Sequence, residues 1–573
     1  MALIDRLVKQ RFGWVLLALV LLGANWALSL AHVRFDLTRE KRYTLSEPTH
    51  RLMKGLTDKV EVTVFLDGDM PAGFRKLRGS TADMLSALKN DAGAALQYRF
   101  ARPGEGMVDS VKEAFFDSLS RLGIHPTNVK AQTKEGEGSE EQLVFPGALI
   151  SYKDRAIGVD FLQGQSNTDG LNSLNNAEAL LEYKLAHAIQ QITQDSVPVV
   201  GYLLGNGEPF DDRITDLIEN TLRPNYGFRF IPIDSVNSIP TQFKALLVVK
   251  PTKRFSDRQK LKIDQYAMHG GRVLWMLDQL YASLDSLQRS EGQFIAFDMG
   301  LNLEDQLFRY GVRINPDLVQ DVECDKIPSV VGSVGGKPQI QVLPWPYFPL
   351  LRDPGSHPIS KNLDYVVAQF PQSLDTVKAP GIRKTVLLSS SNESRILSAP
   401  ARVEWASVRN ESDLKTFTKG QVPVAVLLEG KFKSLYANRI ASDLADTMAN
   451  LWHQPFAPES GEDGKMIVIS DGDLPLNAIQ QDGRPLPMGM NLYTKQQYAN
   501  REFLLNALEY LTDPSGILET RGKDYQLRLL DKKKVDEDRA FWQVVNILLP
   551  ILAVILAVMA YQVWRKRKYG RKG

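Results

Sequence analysis

A single cysteine stands among 573 residues, and Cys324 alone closes no internal disulfide and builds no cysteine-rich metal centre. It lies in VECDKI, away from any strand-to-helix elbow and without a paired base, so an inert thiol is expected rather than a nucleophile. Histidine is scarce too. His32, His50, His125, His187, His269, His357 and His453 include no pair at ligand spacing, which removes the usual zinc sites. No G-x-x-x-x-G-K-[ST] occurs, so the chain carries no ATP-binding P-loop of its own; H-E-x-x-H and G-x-S-x-G are also missing. No cofactor is expected. Charge of one sign is lacking in bulk: 69 basic against 67 acidic residues leave +2, which gives nucleic-acid binding no support. With 43% apolar and 24% charged residues the chain is neither a disordered tail nor a polytopic carrier. Its length suits about three or four domains.

The basic charge is concentrated at the tips. Residues 1–12 and 562–573 hold nine basic groups and one acid, a net +8, and the remainder carries −6. Inside the tips stand two uncharged runs, GWVLLALVLLGANWALSLA (13–31) and FWQVVNILLPILAVILAVMAY (541–561). As helices, each spans roughly 30 Å of hydrocarbon. Trp14, Trp542 and Trp564 lie near the ends of these runs, where indoles anchor at the interface, and Pro550 is expected to kink the second. AHVRFDL offers no small-x-small cleavage site and there is no lipobox cysteine, so the first run reads as an uncleaved signal anchor. The positive-inside rule then puts both termini in the cytoplasm and the roughly 500 residues between them outside, in the periplasm of a Gram-negative cell. The expected protein is a two-pass inner-membrane protein with the lipid bilayer as one partner.

Between the runs, two α/β regions are expected, 32–194 and 195–524, followed by a polar linker at 525–540. In the first, KVEVTVFL (59–66) alternates as a half-buried strand, a helix follows near 81–89, and ALQYRF (95–100) completes a β-α-β unit. GALISYKDRAIGVDFL (147–162) reads as a hairpin turning at Lys153-Asp154, and 174–192 as an amphipathic helix. In the second, strands VPVVGYLL, FRFIPI, ALLVVK and RVLWMLD alternate with helices over 211–222 and after Ser256, whose Gln259 permits a capping box. That alternation implies a doubly wound parallel sheet. A proline-rich stretch near 279–380 reads as an insertion of loops and short elements. The sheet resumes with KTVLLSS, VPVAVLLEG and KMIVISDGD, and 500–511 is helical.

In such sheets ligands bind outside the carboxyl ends of the strands. Gly205, Asn206, Gly207 and Glu208 follow the first strand of the second region, with Asp211 and Asp212 close behind; Asp278 and the pair Asp471 and Asp473 follow two others. One reading is a small-ligand or metal pocket, and the other is a set of solvated capping and turn carboxylates. Gly205-Asn206-Gly207 lacks the third glycine of a dinucleotide fingerprint, Phe210 holding its place. No catalytic or metal-ligating residue is assigned. A tethered hydrolase would need Glu208 with Asp278 or Asp471 as its acid–base pair.

Several segments, among them FDLTREKRYTLSEPTHRLMKGL, GYLLGNGE, KPTKRFSDRQKLKIDQYAMHGGRVLWMLD, YGVRINPDLVQD, PWPYFPLL and NREFLLNALEYLTD, resemble the gliding-motility-associated ABC transporter components (GldG) of Bacteroidota. The likeness covers nearly the whole chain. It implies a non-enzymatic substrate-binding or auxiliary subunit working with a GldF-like permease and a cytoplasmic GldA-like ATPase. It also implies a class I glutamine amidotransferase-like α/β domain, whose nucleophile cysteine has no counterpart here. A structural scaffold of the gliding or secretion apparatus is the alternative role, and homo-oligomerisation stays open.

Overall fold

A computed structural model describes residues 19, 22–23, 44–68, 70–132, 139–162, 170–194, 196–290, 292–334, 337–405, 411–522 and 532–569. The chain divides into two units, Met1–Lys523 and Asp524–Gly573. The first apolar run, with Trp14, lies outside the described residues except Leu19, Leu22 and Gly23.

The first unit begins with a four-stranded sheet. β1 (Val60–Val64) and β2 (Leu96–Phe100) are parallel, joined by α1 (Ala72–Ala92); β3 (Gly147–Tyr152) and β4 (Arg155–Asp160) form an antiparallel hairpin on the other side of β1. The alternation in VEVTV sets this register: Val60, Val62 and Val64 are fully buried against Leu77, Leu85 and Leu88 of α1. The hairpin turns at Lys153, which takes a left-handed φ of 52°. The helix expected over 174–192 is two helices, 170–179 and α2 (Leu181–Thr193), separated by Leu180.

The rest of the unit is built on β5 (Val199–Leu204), β6 (Gly227–Pro232), β7 (Phe243–Val249), α3 (Asp257–Met268), β8 (Arg272–Met276), a long hairpin of β9 (Cys324–Val334) and β10 (Lys337–Leu351), then β11 (Ile382–Ser389), β12 (Pro423–Gly430), β13 (Gly464–Ile469) and α4 (Asn500–Thr512). A mixed sheet runs in the order β11-β12-β13-β8-β7-β5-β6. From β13 to β6 all neighbours are parallel, while β12 is antiparallel to both of its own. Near-continuous apolar strands such as FKALLVV follow from this: both faces are covered, by α4 in one core and α3 in the other. Ser256 and Gln259 form the capping box that opens α3.

Two segments depart from the sequence expectation. Residues 211–222 hold a 3-10 turn (Asp212–Ile214) and a π turn (Leu217–Leu222) in place of an α-helix. The wide turn carries the Arg223 N–H back to Ile218 O, with Leu217, Ile218, Thr221 and Leu222 all buried. The insertion near 279–380 holds the short elements expected of it, among them Gln293–Asp298, Glu304–Tyr310 and Asp317–Asp321, and also the long β9–β10 ribbon, which was not expected. Pro328, Pro338, Pro344, Pro346 and Pro349 lack ladder donors, but a ribbon with open edges tolerates them.

The second unit contains α5 (Lys532–Tyr569), a 38-residue helix with Pro550 inside. Its stretch Phe541–Lys568 contains 18 consecutive residues of mean hydropathy 2.6 and is long and apolar enough to cross a membrane. Helix therefore begins within the expected polar linker.

Candidate functional site

The carboxyl ends of β7, β8 and β13 lie side by side, so the residues that leave them meet. Lys250 follows β7, Asp278 follows β8, and Asp471 and Asp473 follow β13. Carboxylate oxygens of the three aspartates lie within 4.8 Å of one another. Sequence reading missed the fourth member: the Lys250 ammonium sits 2.9 Å from Asp278 Oδ2 and also donates to Asp473 Oδ2. The cation these two carboxylates hold is thus the protein's own. Lys250 takes a left-handed φ of 41°, and its N–H donates to Met276 O (2.8 Å), which ties the turn to the neighbouring strand. A lysine directly after an apolar parallel strand was the available signal; its partners, one of them 223 residues on, were not.

The cluster is nearly dry. The Lys250 side chain is 15% exposed and that of Asp278 6%. Burial alone would lower the Lys250 ammonium, but the charges of Asp278 and Asp473 outweigh it and hold the group above the ordinary lysine value. A lysine so held presents no neutral amine for nucleophilic work. Burial, with repulsion from Asp473 and Asp278, pushes the Asp471 carboxyl well above its usual range, against the Gln369 amide that donates to it (2.8 Å). Burial raises Asp473 as well, against the opposing pull of Lys250. The Asp473 and Leu474 amides also donate to Asp471, and Gly472 N–H donates to Asp278 Oδ1 (2.7 Å). Gly472 has no room for more: a Cβ there would meet Lys250 Cγ at 2.8 Å and Asp278 Oδ2 at 2.9 Å.

Asp473 also lines a cavity of about 140 Å³, whose walls include Asp325, Gln369, Asn491, Asn500 and Phe348. Asp325 and Asn491 are bound to each other (2.7 Å), and Tyr498 donates to Asp325 (2.7 Å). The cavity thus joins the sheet's carboxyl edge to the foot of β9. A dry cavity of about 150 Å³ holds a benzene-sized molecule. With a carboxylate at its edge, this one suits a small ligand offering a hydroxyl or ammonium donor. Cys324, one residue before Asp325, has its thiol pushed up to about 12 by burial and then by Asp321 and Asp325, so it stays protonated at neutral pH.

The other candidate loop lies across the 250–253 turn. Thr252 and Lys253 N–H groups donate to Asn206 O (2.9 and 2.8 Å). Glu208 turns back on its own loop, accepting from Gly205 N (2.9 Å) and Asn206 N (2.7 Å), and does not join the aspartates around Lys250. Burial raises its carboxyl despite those amides. Gly207, at φ 80°, would place a Cβ 2.2 Å from Thr252 Oγ1, so the turn requires glycine. Asp211 pairs with Arg213 (2.7 Å). In the separate helix α5, Trp542 and Trp564 are exposed near opposite ends of the apolar stretch.

A family described as "ABC-type uncharacterized transport system" matches residues 197–507, a span that contains every residue of this site. A domain of unknown function, DUF7088, matches residues 39–151. None of the curated proteins matches. Among solved structures, the mmIFT52 N-terminal domain is similar at 14% identity, covering 55% of this chain and 98% of that one, with a TM-score of 0.29. The exo-β-1,4-mannosidase Op5Man5 from Opitutaceae bacterium strain TAV5 is similar at 9% identity, covering 82% of this chain and 55% of that one, with a TM-score of 0.21. Both likenesses are too remote to carry an argument.

Proposed function

Because the chain belongs to the family of ABC-type uncharacterized transport systems, as an auxiliary component, we propose that it is a non-enzymatic, membrane-anchored subunit of an ABC transporter. The family match over 197–507 carries this reading. In it, the protein is GldG-like, held by two spans with both termini cytoplasmic and with residues 32–524 in the periplasm. The mixed sheet acts as a doubly wound, amidotransferase-like platform. Energy would come from elsewhere, since the sequence has no P-loop, and a GldA-like ATPase with a GldF-like permease supplies the missing parts.

The carboxyl edge of the sheet is the part suited to recognition. The Lys250 ammonium bound by Asp278 and Asp473, and the Asp278 and Asp471 carboxyls that accept from backbone amides, make a rigid polar floor. Asp473 at the edge of the cavity gives a small donor-bearing ligand somewhere to bind. The test is purification of the tagged full-length protein from detergent-solubilised membranes, with mass-spectrometric identification of what accompanies it. A polytopic permease and a P-loop ATPase in fixed ratio are expected. Recovery of other envelope proteins with neither of these would replace the transporter reading with that of a scaffold.

A further inference from the structure

Among the described residues, the walls of the cavity beside Asp473 carry two carboxylates, Asp325 and Asp473, and no lysine, arginine or histidine. The imbalance extends behind the walls. The Lys250 ammonium beside Asp473 is shared with Asp278, so two carboxylates face one cation. Arg213, whose field also reaches Asp473, is paired with Asp211 (2.7 Å). The described groups that donate to Asp325 are neutral: the Lys326 amide (2.8 Å), the Tyr498 hydroxyl (2.7 Å) and the Asn491 side-chain amide (2.7 Å). Asp285 adds to the negative field at Tyr493, another wall residue. The cavity therefore holds a surplus of negative charge in nearly dry surroundings, where salt screens little.

Four kinds of ligand can be compared with these walls. An anion is repelled by both carboxylates. A hard divalent cation such as calcium takes about six to eight oxygens, and few are open. Of the carboxylate and amide side-chain oxygens in the walls, only Asp473 Oδ1 and Gln369 Oε1 accept from no described group; those of Asp325, Asn491 and Asn500 are engaged, and Lys250 holds Asp473 Oδ2. A polyol would bring several hydroxyls against Leu284, Ile327, Phe348 and Leu476, which give them no partner. A small primary amine fits both parts of the site. Its ammonium donates to Asp473 Oδ1 and Gln369 Oε1, and its apolar body lies against the aliphatic walls and the rings of Phe348 and Tyr493. The volume sets the size, since about 150 Å³ accommodates a benzene-sized body.

We infer that the cavity binds a small primary amine in its cationic form, with Asp473 as the counterion of the ammonium; the inference rests on the reading of the sheet's carboxyl edge as the part suited to recognition. The experiment uses the full-length protein in detergent and three probes of similar shape and different charge: benzylammonium, benzyl alcohol and benzoate. Each is titrated at neutral pH by calorimetry against a protein-free detergent blank. Benzylammonium should bind about ten-fold or more tightly than benzyl alcohol, because its hydrogen bonds are charge-assisted, and benzoate should not bind. Two variants locate the site. Asp473→Asn should lose benzylammonium. Ala478→Leu, which fills the cavity from its wall and leaves both carboxylates in place, should lose benzylammonium and benzyl alcohol alike. Benzyl alcohol bound as tightly as benzylammonium, or benzylammonium binding unchanged in Ala478→Leu, would overturn the inference and leave the recognition reading intact. Binding of none of the three probes would bring down both. The comparison of probes is made on the wild-type chain, so its outcome does not depend on how well either variant folds.

Discussion

Replacing Lys250 by methionine keeps the length of the side chain and removes its charge. Asp278 and Asp473 would then face each other across a nearly dry site, with Asp471 behind them and no ammonium between. Breaking a buried pair by deleting one partner costs about 3–5 kcal/mol, because the charge left behind is uncompensated. For a chain of this size, with a urea slope of a few kcal/mol per molar, that lowers the unfolding midpoint by about 1 M. The pH dependence gives the sharper test. Asp471 and Asp473 already sit above their ordinary range, so the folded state holds protons that the unfolded chain releases, and their contribution is lost as pH rises through the folded values. Without Lys250 both move higher still. The variant should therefore recover much of its deficit between pH 7 and pH 5. Urea titration of the full-length protein in detergent, followed by tryptophan fluorescence at both pH values, measures this; Trp275 lies in β8, two residues before the Leu277-Asp278 exit. A midpoint loss equal at the two pH values, or a loss under about 0.3 M at pH 7, would refute the reasoning.

Gly472→Ala forces a methyl onto Lys250 and Asp278, and should cost about 1–3 kcal/mol, read as a lower thermal midpoint. Burial lowers His187, but the Glu509 carboxylate 2.9 Å away outweighs it and the group ends above its usual value. Its stabilisation is complete below about pH 6.5 and is lost as pH rises through the folded value; His187→Asn should flatten the thermal midpoint between pH 6 and 8. Deleting residues 541–573 should leave the protein resistant to carbonate extraction from membranes, because the first apolar run remains; release into the supernatant would contradict the two-span reading. Asp473→Asn should abolish small-ligand binding at the cavity without lowering the thermal midpoint as much as Lys250→Met does, measured by calorimetry and thermal shift on one preparation.

Strands whose both faces are covered announce themselves as apolar runs, so FKALLVV, RVLWM and VPVAVLLEG were legible, as were the Ser256–Gln259 box and the Lys153 turn. The ribbon was not. Five prolines and an open edge hide the alternation by which strands are recognised, and nothing local separates such a ribbon from a loop. Residues 211–222 have the apolar content of an α-helix, and nothing in that pattern distinguishes the π turn that Leu217–Leu222 adopts with four residues buried. The aspartates could be named as neighbours because strand ends in one sheet converge, while Glu208 fails to join them because its own loop amides capture it first. The cavity walls come from Asp325, Asp473 and Asn491, which only tertiary folding brings together.

One feature of the strand order bears on how the protein is made. β8 pairs with β7 at once, but its other edge waits for β13, with Val273 matched to Met466. In a chain emerging from the N-terminus, that edge stays unpaired while about 190 further residues follow, a long-range closure of the slow kind. β8 reads RVLWM, an apolar edge with little to deter a stray strand. The half-made protein is therefore most prone to aggregation between the appearance of residues 276 and 464, and any export or chaperone system that handles it must cover that interval.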